Sequence, residues 1–416
     1  SYLGASRAVA AVCSLATLAM AGRGLGVMLF GILILIISYV RAASGIAKFQ
    51  SWQLIVRYGG RGLVENNPEQ FKSSTGFAAA LDVASGLGGM ILAVILLPLV
   101  GGLVGIDQQY WWLAMAYCAL LPTMGAASPN GVLRTLDRFD LISWAGTLTP
   151  ISRAVMAAIA FANGAQLPVY VAIWFVSDLA GDLFLWFLAW RELKRHDLHS
   201  GIRPTFKPTT LPGAWKFAIN INLAVGVHAV WGPIARLAVG GLLGPTGAAF
   251  FRIASSLADS AQKPADLLGK AFYPEVIRMD LKSKKPWRLM LRVSALSTII
   301  AAAAILVLLV GGKPLISLLF GDDFLGAYEP LVILMGVPLI SVVSFPLGPM
   351  LYALGKAGAP LRAKIIASIL FFAILAPLCW EFGVSGAALA MVIAMAVNAL
   401  VMVIQVGRQY RKIRAA

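Results

Sequence analysis

Residues 191–212, RELKRHDLHSGIRPTFKPTTLP, are the longest clear polar connection in mid-chain, and what flanks them decides the fold. On each side lie six apolar runs of about the 20 residues that a membrane-spanning helix requires. Upstream, helices are expected near residues 2–20, 26–56, 76–104, 111–133, 141–162 and 169–190. Downstream, they are expected near 214–237, 246–279, 289–310, 330–354, 361–380 and 384–406, the eighth interrupted by Pro264. We number these segments helix one to helix twelve. They predict an all-α integral membrane protein of about twelve transmembrane helices, in two six-helix lobes at 1–200 and 201–416.

Composition points the same way. Hydrophobic residues make up 59% of the 416 and charged residues 12%, against about 25% charged in an average soluble domain. A soluble chain needs a polar exterior that this one cannot supply. The net charge of +16 would raise nucleic-acid binding in a soluble protein, but the basic residues sit mainly in short connections between apolar runs. No aromatic residues interleave with a basic patch, so no nucleic-acid partner is expected.

The basic connections alternate. Arg41, Lys48, Arg57, Arg61 and Lys72 fall on one side with Arg134 and Arg138, Arg191 to Arg195, Lys282 to Arg288, Lys356 to Lys364, and the tail from Arg408. The opposite connections hold only Arg23, Arg236 and Lys313, together with Asp107, Asp322, Asp323, Glu329 and Glu381. The positive-inside rule then places both termini in the cytoplasm. Tyr110, Trp111, Trp112 and Trp380 mark the outer interface, and Trp190, Trp215 and Trp287 the inner one. The chain starts at Ser1 without Met; no cleavable signal peptide is expected, and a trimmed N-terminus is. Cys13, Cys118 and Cys379 lie in or beside apolar runs without metal-ligand spacing and are expected to be small buried hydrophobes.

The halves resemble each other. Helix one ends in Gly22-Arg-Gly-Leu-Gly26 and helix seven in Gly240-Gly-Leu-Leu-Gly244-Pro-Thr-Gly247, each followed by a long helix. Aligning Leu25-Gly26 on Leu243-Gly244 pairs the halves helix for helix, as parallel repeats.

The stretch from Gly241 to Gly247, then Phe250-Phe-Arg-Ile-Ala-Ser-Ser-Leu-Ala-Asp259 and Phe272-Tyr-Pro-Glu-Val-Ile-Arg278, resembles the seventh-to-eighth helix segment of polysaccharide-transporter flippases of the Wzx type. Leu319-Phe-Gly-Asp-Asp-Phe-Leu-Gly-Ala-Tyr328, Leu331-Val-Ile-Leu334 and Leu351-Tyr-Ala-Leu-Gly-Lys356 resemble the ninth-to-tenth helix region of that family. The resemblance is clearest over residues 238–360. It implies the superfamily shared with MATE-type multidrug exporters and peptidoglycan lipid flippases, with two lobes around a central cavity. It further implies a flippase of the bacterial inner membrane, without cofactor, that moves a polyprenyl-diphosphate-linked oligosaccharide outward for O-antigen or lipopolysaccharide synthesis. A monomer is expected, in possible association with polysaccharide-assembly proteins.

Charges inside a membrane are costly and usually face a cavity or a partner. Arg7 in helix one either snorkels to the inner interface or lines a cavity. Arg41 and Lys48 share one face of helix two to within roughly 20°. Arg252, Asp259, Lys263, Asp266 and Lys270 fall within roughly 60° on helix eight, as one wall of a polar cavity or as a solvated face. A diphosphate needs cationic partners, so Arg7, Arg41, Lys48, Arg252 and Lys263 are the candidate substrate-binding residues. In the alignment of the halves Arg41 falls opposite Asp259 and Lys48 opposite Asp266, which makes the two aspartates gate candidates. Arg153 with Asp178 and Asp182 reads as an ion pair between helices five and six. Asp82 either joins it or is an ion or proton site. His228, Asn220 and Asn222 read as packing or cavity polarity.

No Walker A, CxxC, HExxH or EF-hand string occurs, and Gly22-x-Gly-x-Gly26 lacks the strand a dinucleotide site needs. No metal or catalytic residue is expected. Moving two negative charges outward across an inside-negative membrane gains about 4.6 kcal/mol per 100 mV, so coupling to a cation is not required. A cation-coupled multidrug exporter of the same fold is the alternative, though helix one carries Arg7 and no acid. A membrane glycosyltransferase or polymerase would need a substantial outer loop, and the outer connections here are short.

Overall fold

The computed structural model describes residues 2–208, 210–277, 285–354, 356 and 358–415. The side chains of Arg7, His228, Lys263, Asp266 and Lys270, and of Pro264 with its expected kink, lie outside the described residues. Among those described, helices run through almost the whole chain and no strand occurs. Seven helical stretches are long and apolar enough to cross a membrane. Two of them, Val9–Val64 and Gly358–Arg411, span 56 and 54 residues, far more than one crossing needs.

Glycines divide these long helices. Tyr2–Ala47 breaks at Gly26 (φ 71°, ψ 171°) and Ala214–Ile277 at Gly244 (φ 72°, ψ −177°). Gly358–Ala415 breaks at Gly383 (φ 57°, ψ −135°). A positive φ strains residues with a Cβ, so glycine permits the sharp reversal that separates two spans. Gly26 and Gly244 are the residues on which the two halves of the sequence align, and their backbone angles nearly coincide. Two more positive-φ glycines of the first half also have counterparts: Gly105 and Gly164 recur as Gly321 and Gly383 in the same order and at nearly the same spacing. Divided at Gly26, Gly244 and Gly383, and with the broken helix four and the helix Lys285–Phe320 included, the helical stretches account for the segments read from the sequence. An alanine at Gly26 or Gly244 would meet no atom within 4 Å, so only backbone strain opposes it. Gly26→Ala and Gly244→Ala are each expected to cost about 1–2 kcal/mol. Thermal unfolding in detergent checks this, with Gly88→Ala as the control: it is likewise free of contacts, but sits inside a helix without a positive φ, so alanine there should stabilise by about 0.5–1 kcal/mol.

Two compact units emerge, Ser1–Gly241 and Leu242–Ala416. In the first, Phe30, Ile32, Leu33, Leu35 and Ile36 of helix two are all fully buried. A helix that is apolar all round belongs in an interior; the long helix Tyr2–Ala47 that contains it packs against helices three, four and five, and the Tyr39 hydroxyl of helix two donates to the Ala93 carbonyl of helix three. Helix five (Phe139–Ala162) instead exposes Trp144, Leu148, Ile151, Val155 and Ile159 at helical spacing. That stripe is a lipid face.

Helix seven packs within the first unit. Methyl groups on Gly240 and Gly241 would collide with the Val104 and Leu103 carbonyls. The polar connection 191–212 also lies on this unit rather than hanging free as a linker. Its apolar end is the reason: Leu211 and Ala214 are buried with Leu54, Tyr58, Phe77 and Leu81. The Tyr58 hydroxyl donates to the Pro212 carbonyl at 3.0 Å. The division into six-helix lobes at 200/201 is therefore a proposal about the repeat, separate from this packing.

In the second unit, the Leu319–Tyr328 stretch folds onto the start of helix eight. Phe324 is 1% exposed and its ring meets Phe250 and Phe320 at 6.5 and 5.9 Å. Helix ten is broken into Tyr328–Leu334, Gly336–Ser344 and Leu347–Ala353.

Candidate functional site

Helix four is where the first unit departs most from its expected form. The sequence predicts one continuous segment over 111–133, but the structure has Trp111–Cys118 and Ala127–Thr135 joined by turns. Pro122 cannot donate a backbone bond, and Gly125 (φ 81°) with Ala126 (φ 33°) reverses the backbone. The break frees backbone groups inside a membrane-spanning unit, where each must find a partner.

Three charged side chains supply those partners. Lys48, at the end of helix two, is 6% exposed, and its Nζ donates to the Met124 carbonyl at 2.6 Å and to the Pro122 carbonyl at 3.2 Å. Asp82 of helix three, 2% exposed, accepts from the Ser128 backbone N–H at 2.7 Å and the Ser128 hydroxyl at 2.6 Å, and from the Ser51 hydroxyl. It thereby caps the second half of the broken helix. Asp182 of helix six accepts from the Gly125 backbone N–H. Asp82 and Asp182 are also the carboxylates whose charges act on Lys48.

Beside the break lies a cavity of about 680 Å³. Its charged lining is Arg41, Lys48, Arg134 and Arg236 against Asp178 and Asp182. Arg153 pairs with Asp178 and donates to the Ser177 hydroxyl at 2.7 Å, while the Tyr117 hydroxyl donates to Asp178 at 3.0 Å. Asp178 is thus neutralised from behind, and positive charge dominates the lining. Arg134 lies over the Trp52 ring at 4.6 Å and donates to Asn130 at 2.8 Å. Arg236 donates to the Ser38 hydroxyl at 2.9 Å. Arg41 is exposed and makes no salt bridge among the described residues.

Arg41, Lys48, Asp178 and Asp182 therefore meet at one cavity, with Asp82 and Arg153 directly behind its wall. Arg252, half-buried, and Asp259, exposed, lie on helix eight in the second unit. Sequence reasoning missed two arginines. Arg236 reads as part of an outer connection, yet helix seven turns it onto Ser38 and into the cavity. Arg134 reads as a topological charge in an inner connection. Trp52, on which its guanidinium lies, is distant in the sequence, so only the fold shows the pair. Ser51 and Ser128 carried no signal. Asn222, read as packing or cavity polarity, has a buried side-chain oxygen with no partner among the described residues.

An all-helical, membrane-spanning chain with a charged cavity inside one unit has the fold of a membrane transporter. The solved structures agree. An inward-facing multidrug-resistance MATE family transporter of the MOP superfamily matches at TM-score 0.80 and 15% identity, over 97% of this chain and 96% of that one. The lipid II flippase MurJ, in an inward closed conformation, matches at TM-score 0.73 and 14% identity, over 99% and 89%. No family model matches the chain. It is 38% identical over 331 residues, 79% of this chain and 93% of the relative, to the inner membrane protein YghQ of Escherichia coli strain K12. The chain belongs to the family of that inner membrane protein.

Proposed function

We propose that this protein is an inner-membrane flippase that carries a polyprenyl-diphosphate-linked oligosaccharide from the inner to the outer leaflet, for surface polysaccharide synthesis. The observation that carries this reading is the cavity's charge: four cations face two carboxylates, and Arg153 neutralises one of those. A diphosphate suits such a lining, because arginine forks bind its oxygens in pairs. A cationic drug does not.

In this reading Arg41, Arg134 and Arg236 receive the diphosphate. Arg7, Arg252 and Lys263 are further proposed cations on their own helices, both termini are cytoplasmic, and the repeats make two six-helix lobes that alternate access. The second reading, a cation-coupled multidrug exporter, draws on the likeness in fold to the MATE transporter. One experiment separates them. Purified protein in proteoliposomes is given a fluorescent polyprenyl-diphosphate oligosaccharide in one arm and ethidium with a sodium or proton gradient in the other. Movement of the lipid-linked sugar without gradient-driven ethidium transport is the expected result. Ethidium transport without lipid movement would replace the flippase reading with the exporter.

A further inference from the structure

The ammonium of Lys48 sits on two carbonyls that no other described group serves. No backbone N–H among the described residues reaches the Pro122 or Met124 oxygen. Broken helices inside membranes expose such carbonyls, and in transporters unwound carbonyls commonly coordinate a small cation. The surroundings of Lys48 suit a small cation as well. Two carbonyl oxygens lie in front, and the charges of Asp82 and Asp182 act on the same point. The position is nevertheless filled by a covalently attached cation, 6% exposed.

We propose that Lys48 is a built-in cation for the broken fourth helix, holding its unwound carbonyls in the place a dissociable monovalent cation would take. A tethered ammonium cannot leave during a transport cycle, so this part of the first unit keeps its shape without sodium or potassium. Two of the three ammonium donors are spent on the carbonyls, which makes Lys48 a positioning residue for the cavity wall rather than a contact for substrate. Removing the side chain while keeping the carbonyls and carboxylates should expose a vacant cation site. The inference rests on these distances and not on the identity of the transported lipid.

The test is thermal unfolding of the full-length protein in detergent, at constant ionic strength set with choline chloride. Sodium chloride or n-propylammonium chloride is then titrated against wild type, Lys48→Ala and Lys48→Met. Wild type should show no shift with either cation. Lys48→Ala should unfold several degrees lower in choline and recover at least half of that loss with one of the small cations. Lys48→Met, which fills the space without charge, should unfold lower and not recover. Lys48→Ala as stable as wild type in choline would overturn the proposal, and so would a loss that neither cation restores. If Lys48→Ala does not accumulate in membranes, Lys48→Arg and Lys48→Met decide by their own accumulation. Arginine retained with methionine lost supports a required charge; both retained or both lost overturns it.

Discussion

Arg41→Ala should lower transport of a polyprenyl-diphosphate substrate by about 10- to 100-fold, since a hydrogen bond to a charged group contributes about 1.5–3 kcal/mol. Of the cavity's cations, Arg41 has the least else to do. Lys48 serves two carbonyls, Arg134 lies on Trp52 with Asn130 as partner, and Arg236 holds Ser38. Arg41 is exposed to the cavity and makes no salt bridge among the described residues, so its loss should leave the unit's packing intact. Protein level and unfolding temperature should therefore match wild type while lipid movement in proteoliposomes falls. Arg41→Lys keeps the charge and loses the planar fork, and should recover only part of the rate. Unchanged transport by Arg41→Ala together with Arg236→Ala would show that the cavity's charge serves something other than the substrate.

What could be read from the sequence follows the range of the forces involved. Spans were legible because burial in lipid requires about 20 apolar residues at a stretch and leaves a contiguous signature. The reversals at Gly26 and Gly244 were legible because two similar glycine-rich strings preceded two long helices. The break in helix four was not. Its sequence, ALLPTMGAAS over residues 119–128, is apolar enough to continue a span, and the unwinding depends on distant partners in helices two, three and six. The roles of charges were hidden for the same reason. Arg236 lies near the end of an apolar run, and only packing against Ser38 shows which face it occupies. The relation of Arg153 to Asp178 could be read as a pair because two adjacent helices supply it. That of Asp82 to Ser51 and Ser128 could not, since hydroxyls are common and carry no charge signature.

Asp82→Ala is expected to be the most damaging single substitution in the first unit, costing about 3–5 kcal/mol of stability. The side chain is 2% exposed and serves three donors: the Ser51 hydroxyl, the Ser128 hydroxyl and the Ser128 backbone N–H. Alanine would leave the backbone donor and the end of the helix Ala127–Thr135 without an acceptor, and remove one of the two carboxylates acting on Lys48. Breaking such a set costs more than its net worth, because the partners stay buried and unsatisfied. Asp82→Asn keeps one acceptor oxygen and loses the charge, so it should fall between wild type and alanine. The coupling to Lys48 provides the sharper check. In Asp82→Asn with Lys48→Met both members of this pair are neutral, and Asp182 alone keeps its charge beside the break. The double variant should therefore be less destabilised than the sum of the two single variants, as expected for groups in one network. Unfolding of the four proteins in detergent measures this directly. Strict additivity would mean that Asp82 caps the broken helix independently of Lys48, and that the two charges do not hold it as a pair.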